Sequence, residues 1–267
     1  MPIRIGLTLV AFVVFLSGCA STPQYPVLLS KDAVGPQAGR IGVVMTSMPE
    51  LNTFFPGADC LLCMATASMM NSSLTKHART LTYEDLPELK TEVARLLHMK
   101  GSDAVVIDGT LDVEALSNFE NKGPNVATKD FTPLQQKYKV DRLLVIDITT
   151  LGFTRSYSAY IPVGDPKAQL KGTGYIVNLK SNTYDWYQPV SILKSADQTW
   201  DEPPKFPGLT NAYFQALELG KDDLLRPLVE YVVGAAAPAA GTIQPVPLPV
   251  AANSSANQPG VSQSQAQ

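Results

Sequence analysis

Two of the three cysteines in the chain, Cys60 and Cys63, form a C-x-x-C pair in the stretch FFPGADCLLCMA. Such a pair can act as a thiol redox centre, supply half of a metal site or close a small structural disulfide. Gly57 and Asp59 indicate a turn followed by a helix that begins near Cys60. Because the N–H groups at a helix N-terminus stabilise a thiolate, this position is compatible with redox chemistry.

The surrounding sequence favours the structural disulfide. No strand typical of a thioredoxin-like domain precedes the pair, and the residues between the cysteines, Leu61 and Leu62, include no proline. A zinc site needs about four nitrogen or sulfur ligands, and only His77 and His98 could complete one. Redox catalysis, reduced cysteines and an intermolecular bridge stay open as alternatives. We predict no catalytic residue, no metal site and no cofactor.

The N-terminus indicates the compartment. Arg4 and the apolar run at residues 5–16 are typical of a signal peptide, and the run is too short to span a bilayer as a helix. The run ends in Leu16–Cys19, which reads LSGC and resembles the bacterial lipobox. The resemblance implies cleavage before Cys19, a diacylglycerol thioether on its sulfur, and acylation of the new amino terminus, for example by palmitate.

This lipidation predicts where the protein is located. Ala20 and Ser21 follow Cys19, whereas lipoproteins retained in the inner membrane usually carry an Asp there. We therefore expect a lipid-anchored outer-membrane protein that faces the periplasm, with acyl chains that make the anchor effectively permanent. An ordinary secretory signal is the alternative. In this oxidising compartment, the even pair of cysteines left after Cys19 favours a disulfide.

Composition argues against several function classes. The net charge is −3 and 17% of the residues are charged, with no basic stripe, so we expect no nucleic-acid partner. The chain contains neither a G-x-S-x-G motif nor a P-loop, and its carboxylates cluster at helix starts or on polar faces. We therefore expect a protein that is not an enzyme.

The chain divides into four parts: a signal peptide at 1–18, a flexible tether at 19–39, a single domain at 40–233 and a disordered tail at 234–267. The domain contains an insertion at 53–82 that holds the cysteine pair. The small and flexible apolar residues after the pair either pack in a core or form an exposed contact between copies; they are Ala65, Ala67, Met69 and Met70.

The hydrophobic pattern predicts the strands of the domain. Short runs rich in β-branched residues indicate buried strands at Arg40–Met45, Asp103–Asp108 and Asp141–Gly152. Alternating residues after Gly172 indicate a hairpin that turns at Ser181-Asn182. Pro189, in the returning strand of this hairpin, favours a position at the edge of the sheet.

Apolar residues at helical spacing predict three helices. The first ends before Gly101, the second begins after Asp130, and the last is interrupted at Gly220 or Pro227. The element order is β-α-β-α-β-β-β-α. We therefore expect an α/β (α+β) fold, in which a mixed β-sheet carries helices mainly on one face.

This order resembles a domain shared by the curli secretion channel and the lipoprotein activators of peptidoglycan synthases, which is similar to the amino-terminal domain of the Tol-Pal translocation protein. Three pieces carry the resemblance: IGVVMTSM, VARLLHMKGSDAVVID, and YKVDRLLVIDITTLG followed by GYIVNLKSNTYDWY. The resemblance covers about residues 40–230 and implies a tendency to form homo-oligomers. The insertion with the cysteines departs from the family pattern.

Two connections carry candidate partner-binding residues. The stretch SADQTWDEPPKFPGL places Trp200 and Phe206 among three prolines, and GFTRSYSAYIPVGDP contains Arg155, Tyr157 and Tyr160. Rigid aromatic connections make good partner surfaces. The alternative is that Trp200 and Phe206 close the edge of the core.

These observations predict an outer-membrane lipoprotein that acts as a non-enzymatic assembly or accessory factor. It would bind an unidentified protein partner in envelope biogenesis or export, with the lipid raising its effective concentration at the membrane. A periplasmic thiol oxidoreductase that uses Cys60 and Cys63 is one alternative. A subunit of an oligomeric export ring is the other.

Overall fold

The structure is a computed structural model, and it describes residues 23–230 of the chain. The predictions for the signal peptide at 1–18, for lipidated Cys19 and for the tail at 234–267 lie outside the described residues. Within 23–230, no helix has the length and apolar character needed to cross a membrane.

A mixed sheet forms the centre of the domain. Its strands are β1 (Arg40–Met45), β2 (Asn52–Phe54), β3 (Asp103–Thr110), β4 (Arg142–Thr154), β7 (Lys167–Asn178) and β8 (Thr183–Ser195). A separate small ribbon contains β5 (Tyr157–Ser158) and β6 (Ile161–Pro162).

The order across the main sheet is β3-β1-β4-β7-β8, and β2 also pairs with β4. The pairs of β1 with β3 and with β4 are parallel, whereas β4, β7 and β8 form an antiparallel meander. The predicted mixed sheet is confirmed.

Two long helices cover one face of this sheet. The helices of the domain are α1 (Leu61–Met70), α2 (Ser72–Ala78), α3 (Leu89–Met99), α4 (Pro133–Tyr138) and α5 (Pro207–Glu230). Leu89, Val93 and Leu97 on α3 are buried together with Leu224 on α5, against the sheet. Leu89, Val93 and Leu97 are spaced four residues apart, which places them in one stripe along α3.

The opposite face of the sheet carries a smaller core under α4. Phe131 and Leu134 pack there with Val145 and Tyr175. Buried Asn182 joins this layer to the β7–β8 turn, because its amide donates to the carbonyls of residues 127 and 129 and accepts from Phe131 N. Helices therefore lie mainly, though not entirely, on one face.

Two elements differ from the sequence-based expectations. Strand β3 is an edge strand and is only partly buried, because β1 covers one side of it and no strand of residues 23–230 covers the other. Helix α5 continues through Gly220 and Pro227. Gly220 allows a close approach instead, since a Cβ at that position would lie 2.6 Å from Leu170 Cδ1.

The segment predicted to be a flexible tether contacts the domain over much of its described length. Val27 pairs with Tyr187 on the outer edge of β8. Ala33, Val34 and Ala38 are buried in the core on the helical face. Apolar burial of these side chains offsets the entropy of ordering the segment.

Candidate functional site

One end of the sheet carries a small subdomain, which we call the apex. It consists of β2, α1 and α2 from the insertion, together with the β5–β6 ribbon. A third apolar cluster holds these parts together; its members are Phe55, Ala58, Cys63, Ala67 and Tyr157. The ribbon also bonds directly to the insertion, since Ala159 N donates to the Gly57 carbonyl at 3.2 Å.

Cys60 and Cys63 form a disulfide at the start of α1. Cys60 is also the N-cap of this helix, because its Sγ accepts a hydrogen bond from Cys63 N at 2.9 Å. Cys63 is buried in the apex core, whereas Cys60 is exposed and lies 3.7 Å from the hydroxyl of Tyr160. The leading prediction for the cysteine pair agrees with this arrangement.

No group of three or more His, Cys, Asp or Glu side chains in residues 23–230 is placed to hold a metal ion. The two histidines lie apart in the fold: His77 is in α2 at the apex and His98 is near the end of α3. Neither joins the cysteine pair as a ligand set.

Tyr157 is an internal residue of the apex and not a surface contact. It is only 5% exposed, and its hydroxyl accepts a hydrogen bond from Asn71 Nδ2 at 2.7 Å. Arg155 Nη1 donates to the Oδ1 of the same Asn71 at 3.3 Å. The buried Asn71 therefore ties the α1–α2 junction to the connection after β4, and nothing in its local sequence indicates this role.

Arg155, Trp200, Phe206 and His77 form a second group, which we call the aromatic cluster. The Arg155 guanidinium lies 4.9 Å from the Trp200 ring centroid, a cation–π contact worth about 0.5–1 kcal/mol at an exposed site. The rings of Trp200 and Phe206 are parallel, with their centroids 6.2 Å apart. The centroid of the Phe206 ring lies 5.5 Å from that of the His77 ring. The structure thus brings both predicted connections together.

His77 links α2 to the start of α5. Its Nε2 lies 2.7 Å from the hydroxyl of Thr210, at hydrogen-bond distance. Partial burial, followed by repulsion from the nearby Lys205 ammonium, lowers the pKa of His77 below its ordinary value. The sequence suggested His77 only as a possible metal ligand, because neither Phe206 nor Thr210 is near it in the chain.

The outer side of the apex exposes apolar side chains, which we call the apolar face: Leu61, Leu62, Met64, Met69 and Met70 from α1, and Tyr160, Ile161 and Val163 from the ribbon. Leu61 is 87% exposed and Met69 is 79% exposed. Helix α1 contains no charged residue. Of the residues that the sequence placed either in a core or in a contact, Ala67 is buried, whereas Ala65, Met69 and Met70 are exposed.

A groove of about 480 Å³ runs between β2 and the two helices of the insertion. Lys76 and Arg79 line it and are exposed, and Met64 from the apolar face reaches it. Thr53 also lines the groove, and its buried hydroxyl has no hydrogen-bond partner among the described residues. The cationic side of the apex therefore borders the apolar face.

Comparisons with known proteins give only distant structural likenesses. No protein-family model matches the chain, and no curated protein matches it. A PelC dodecamer from Paraburkholderia phytofirmans is 9% identical, with a TM-score of 0.29 over 78% of this chain and 94% of that one.

Two further structures are similar at the same level. Protein XCC0632 from Xanthomonas campestris is 12% identical, with a TM-score of 0.35 over 77% of this chain and 93% of that one. Lipoprotein GNA1162 from Neisseria meningitidis is 14% identical, with a TM-score of 0.25 over 60% of this chain and 84% of that one. At these identities and TM-scores, none of the three structures indicates a function for this chain.

Proposed function

We propose that the protein is a non-enzymatic accessory factor of the cell envelope, anchored in the outer membrane through lipidated Cys19. It binds a protein partner with the connection at 196–206 and the aromatic cluster beneath it. The lipid confines the domain to the membrane surface and so raises its effective concentration for a partner in the same envelope layer.

The convergence of the aromatic cluster supports this proposal most directly. Trp200 and Phe206 are both half-buried, so they fix the connection without removing it from solvent. Between them lie exposed charged and rigid residues, namely Asp201, Glu202, Pro203, Pro204 and Lys205. A rim of charge around a fixed aromatic anchor is the usual composition of a protein–protein interface.

Site-specific photo-crosslinking in cells tests this surface. A photoreactive residue at Lys205 is expected to give one dominant adduct, whereas the same residue at exposed Lys180, in the distant β7–β8 turn, gives none. Adding Trp200→Ala should reduce the Lys205 adduct by about tenfold, because it removes the anchor. Equal adducts from both positions, or no effect of Trp200→Ala, would contradict the proposal.

One observation favours a second candidate, a thiol oxidoreductase. An exposed Cys60 at a helix N-terminus and a buried Cys63 provide one accessible and one protected sulfur, as a dithiol exchange requires. A thiol–disulfide exchange assay with a small dithiol donor tests it. Turnover that is lost in the Cys60→Ser, Cys63→Ser chain would favour the oxidoreductase over the accessory factor.

A further inference from the structure

We propose that the apolar face of the apex lies on the lipid bilayer and inserts to the depth of the interface. This inference uses the proposed lipid anchor to bring the domain close to a membrane. The contact itself uses side chains of α1 and of the β5–β6 ribbon, with Lys76 and Arg79 of the insertion at its border.

Helix α1 presents its apolar residues outward, the reverse of an ordinary surface helix. Its inward side carries Cys63 and Ala67, which are buried one turn apart. On the opposite side, Leu61, Ala65 and Met69 follow one another at intervals of four and are all exposed. A helix facing water normally carries charge in such a stripe, and exposed apolar patches mark contact sites.

The ribbon extends this surface without adding charge. Cys60, which precedes the stripe, lies next to Tyr160, and Ile161 beside it is 69% exposed. No charged residue occurs between Ser156 and Gly164. Tyr160 has the amphipathic ring that is enriched at the boundary between headgroups and acyl chains.

The reach of the chain favours a bilayer over a protein partner or a second copy. Val27 is fixed on β8, and the chain between it and Cys19 spans at most roughly 30 Å when fully extended. Tyr187 lies in the middle part of β8 and the apex lies at the end of this strand, so a domain held within this distance can bring its exposed leucines to the lipid. Shallow insertion suits the apex, because the disulfide and the small core hold its shape before contact.

Charges around the apolar face fit the headgroup layer. Lys76 and Arg79 line the groove that borders the face, where phosphates of anionic lipids would meet them. Asp59 and Asp165 flank the two apolar segments in the sequence and limit insertion to a shallow depth, because a carboxylate is costly in hydrocarbon.

Vesicle binding by an unacylated chain tests the inference separately from the anchor. The mature chain from residue 19 onward, carrying Cys19→Ser and produced without the apolar leader, is mixed with vesicles of phosphatidylethanolamine and phosphatidylglycerol, and the bound fraction is measured by sedimentation. We expect binding that Leu62→Asp weakens by about tenfold or more. Met99→Asp is the matched control and should change nothing, since Leu62 is 67% exposed and Met99, on α3, is 66% exposed.

A spin label provides a second measurement that does not depend on an Asp substitution. A nitroxide at Ile161→Cys should become accessible to oxygen and protected from a polar nickel reagent on vesicles, whereas one at Met99→Cys should stay accessible to nickel. A label at 161 that stays in water overturns the inference, even if the acylated protein remains on the vesicles.

Other outcomes separate the alternatives. If Cys19 is not acylated but vesicle binding still depends on Leu62, the proposed lipid anchor is wrong and the membrane contact of the apolar face is supported. A dimer in solution that Leu62→Asp dissociates, with no vesicle binding by the parent chain, would assign the face to a second copy and overturn the inference.

Discussion

Cys60 has two structural roles at the start of α1. It closes the disulfide with Cys63, and its sulfur accepts the first hydrogen bond of the helix. A serine hydroxyl in place of this sulfur could keep the second role but not the first, because Ser is a good N-cap. The cap and the covalent bond can therefore be separated by choice of substitution.

We expect Cys60→Ser, Cys63→Ala to lower the free energy of unfolding by about 2 kcal/mol or less, because the closed loop is short. Cys60→Ala, Cys63→Ala should cost about 1 kcal/mol more, since alanine cannot cap the helix and both variants carry the same residue at the buried position 63. Urea denaturation of the two variants measures both values. Equal stabilities would show that the cap contributes nothing, and we expect the Lys205 crosslink to persist in both.

At the scale of elements, the strongest sequence patterns matched the structure closely. Strand β1 has the predicted bounds, Arg40–Met45, and Gly101 ends the helical segment before β3 with a φ of +79°. Both patterns are local: a strand that is buried on two faces is a continuous apolar run, and a helix often ends at a glycine in the left-handed conformation. The order of strands across a sheet produces no local pattern, so the sequence did not predict that β3 lies at the edge.

The docking of the insertion on the ribbon depends on Gly57. Its φ is +86°, and a Cβ there would overlap the backbone carbonyl of Tyr157. We expect Gly57→Ala to destabilise the protein by about 2 kcal/mol or more and to weaken vesicle binding, because the two parts of the apolar face would separate.

Gly164→Ala is the control for this substitution. Gly164 has a similar φ of +88°, but a Cβ there would meet no atom within 4 Å. Both changes therefore carry the backbone strain of a left-handed alanine, and only Gly57→Ala adds the clash. Hydrogen exchange of α1 amides measures the difference, and identical protection in the two variants would argue against the Gly57 contact.

In the molecule as a whole, the apolar face and the connection at 196–206 have separate proposed tasks. The apolar face would contact the membrane, while the connection at 196–206 would meet the protein partner. Both surfaces belong to one end of the sheet, where β4 and β8 end and α5 begins. Attachment through Cys19 would keep both near the bilayer, and it is the part of the proposal that a single mass measurement can test.

We expect protein extracted from membranes to begin at Cys19 and to carry acyl chains on it. A mature chain with Cys19→Ser, produced without the leader, should leave the detergent-phase fraction almost entirely, because a covalent lipid binds far more strongly than an interfacial surface. Mass spectrometry and phase partitioning provide the two measurements. An intact leader, or a mature chain without acyl mass, would contradict the anchor.

Local patterns in the sequence were enough to predict the class of fold, the bounds of β1 and the helical segment that ends at Gly101. These features depend on local spacing, hydrophobic period and turn residues, which each segment carries by itself. Only the tertiary structure decided that Arg155 lies over Trp200, that Tyr157 is internal and that α1 turns its leucines outward. Those facts depend on how distant segments pack, and packing partners far apart in the chain leave no periodic signal in either one.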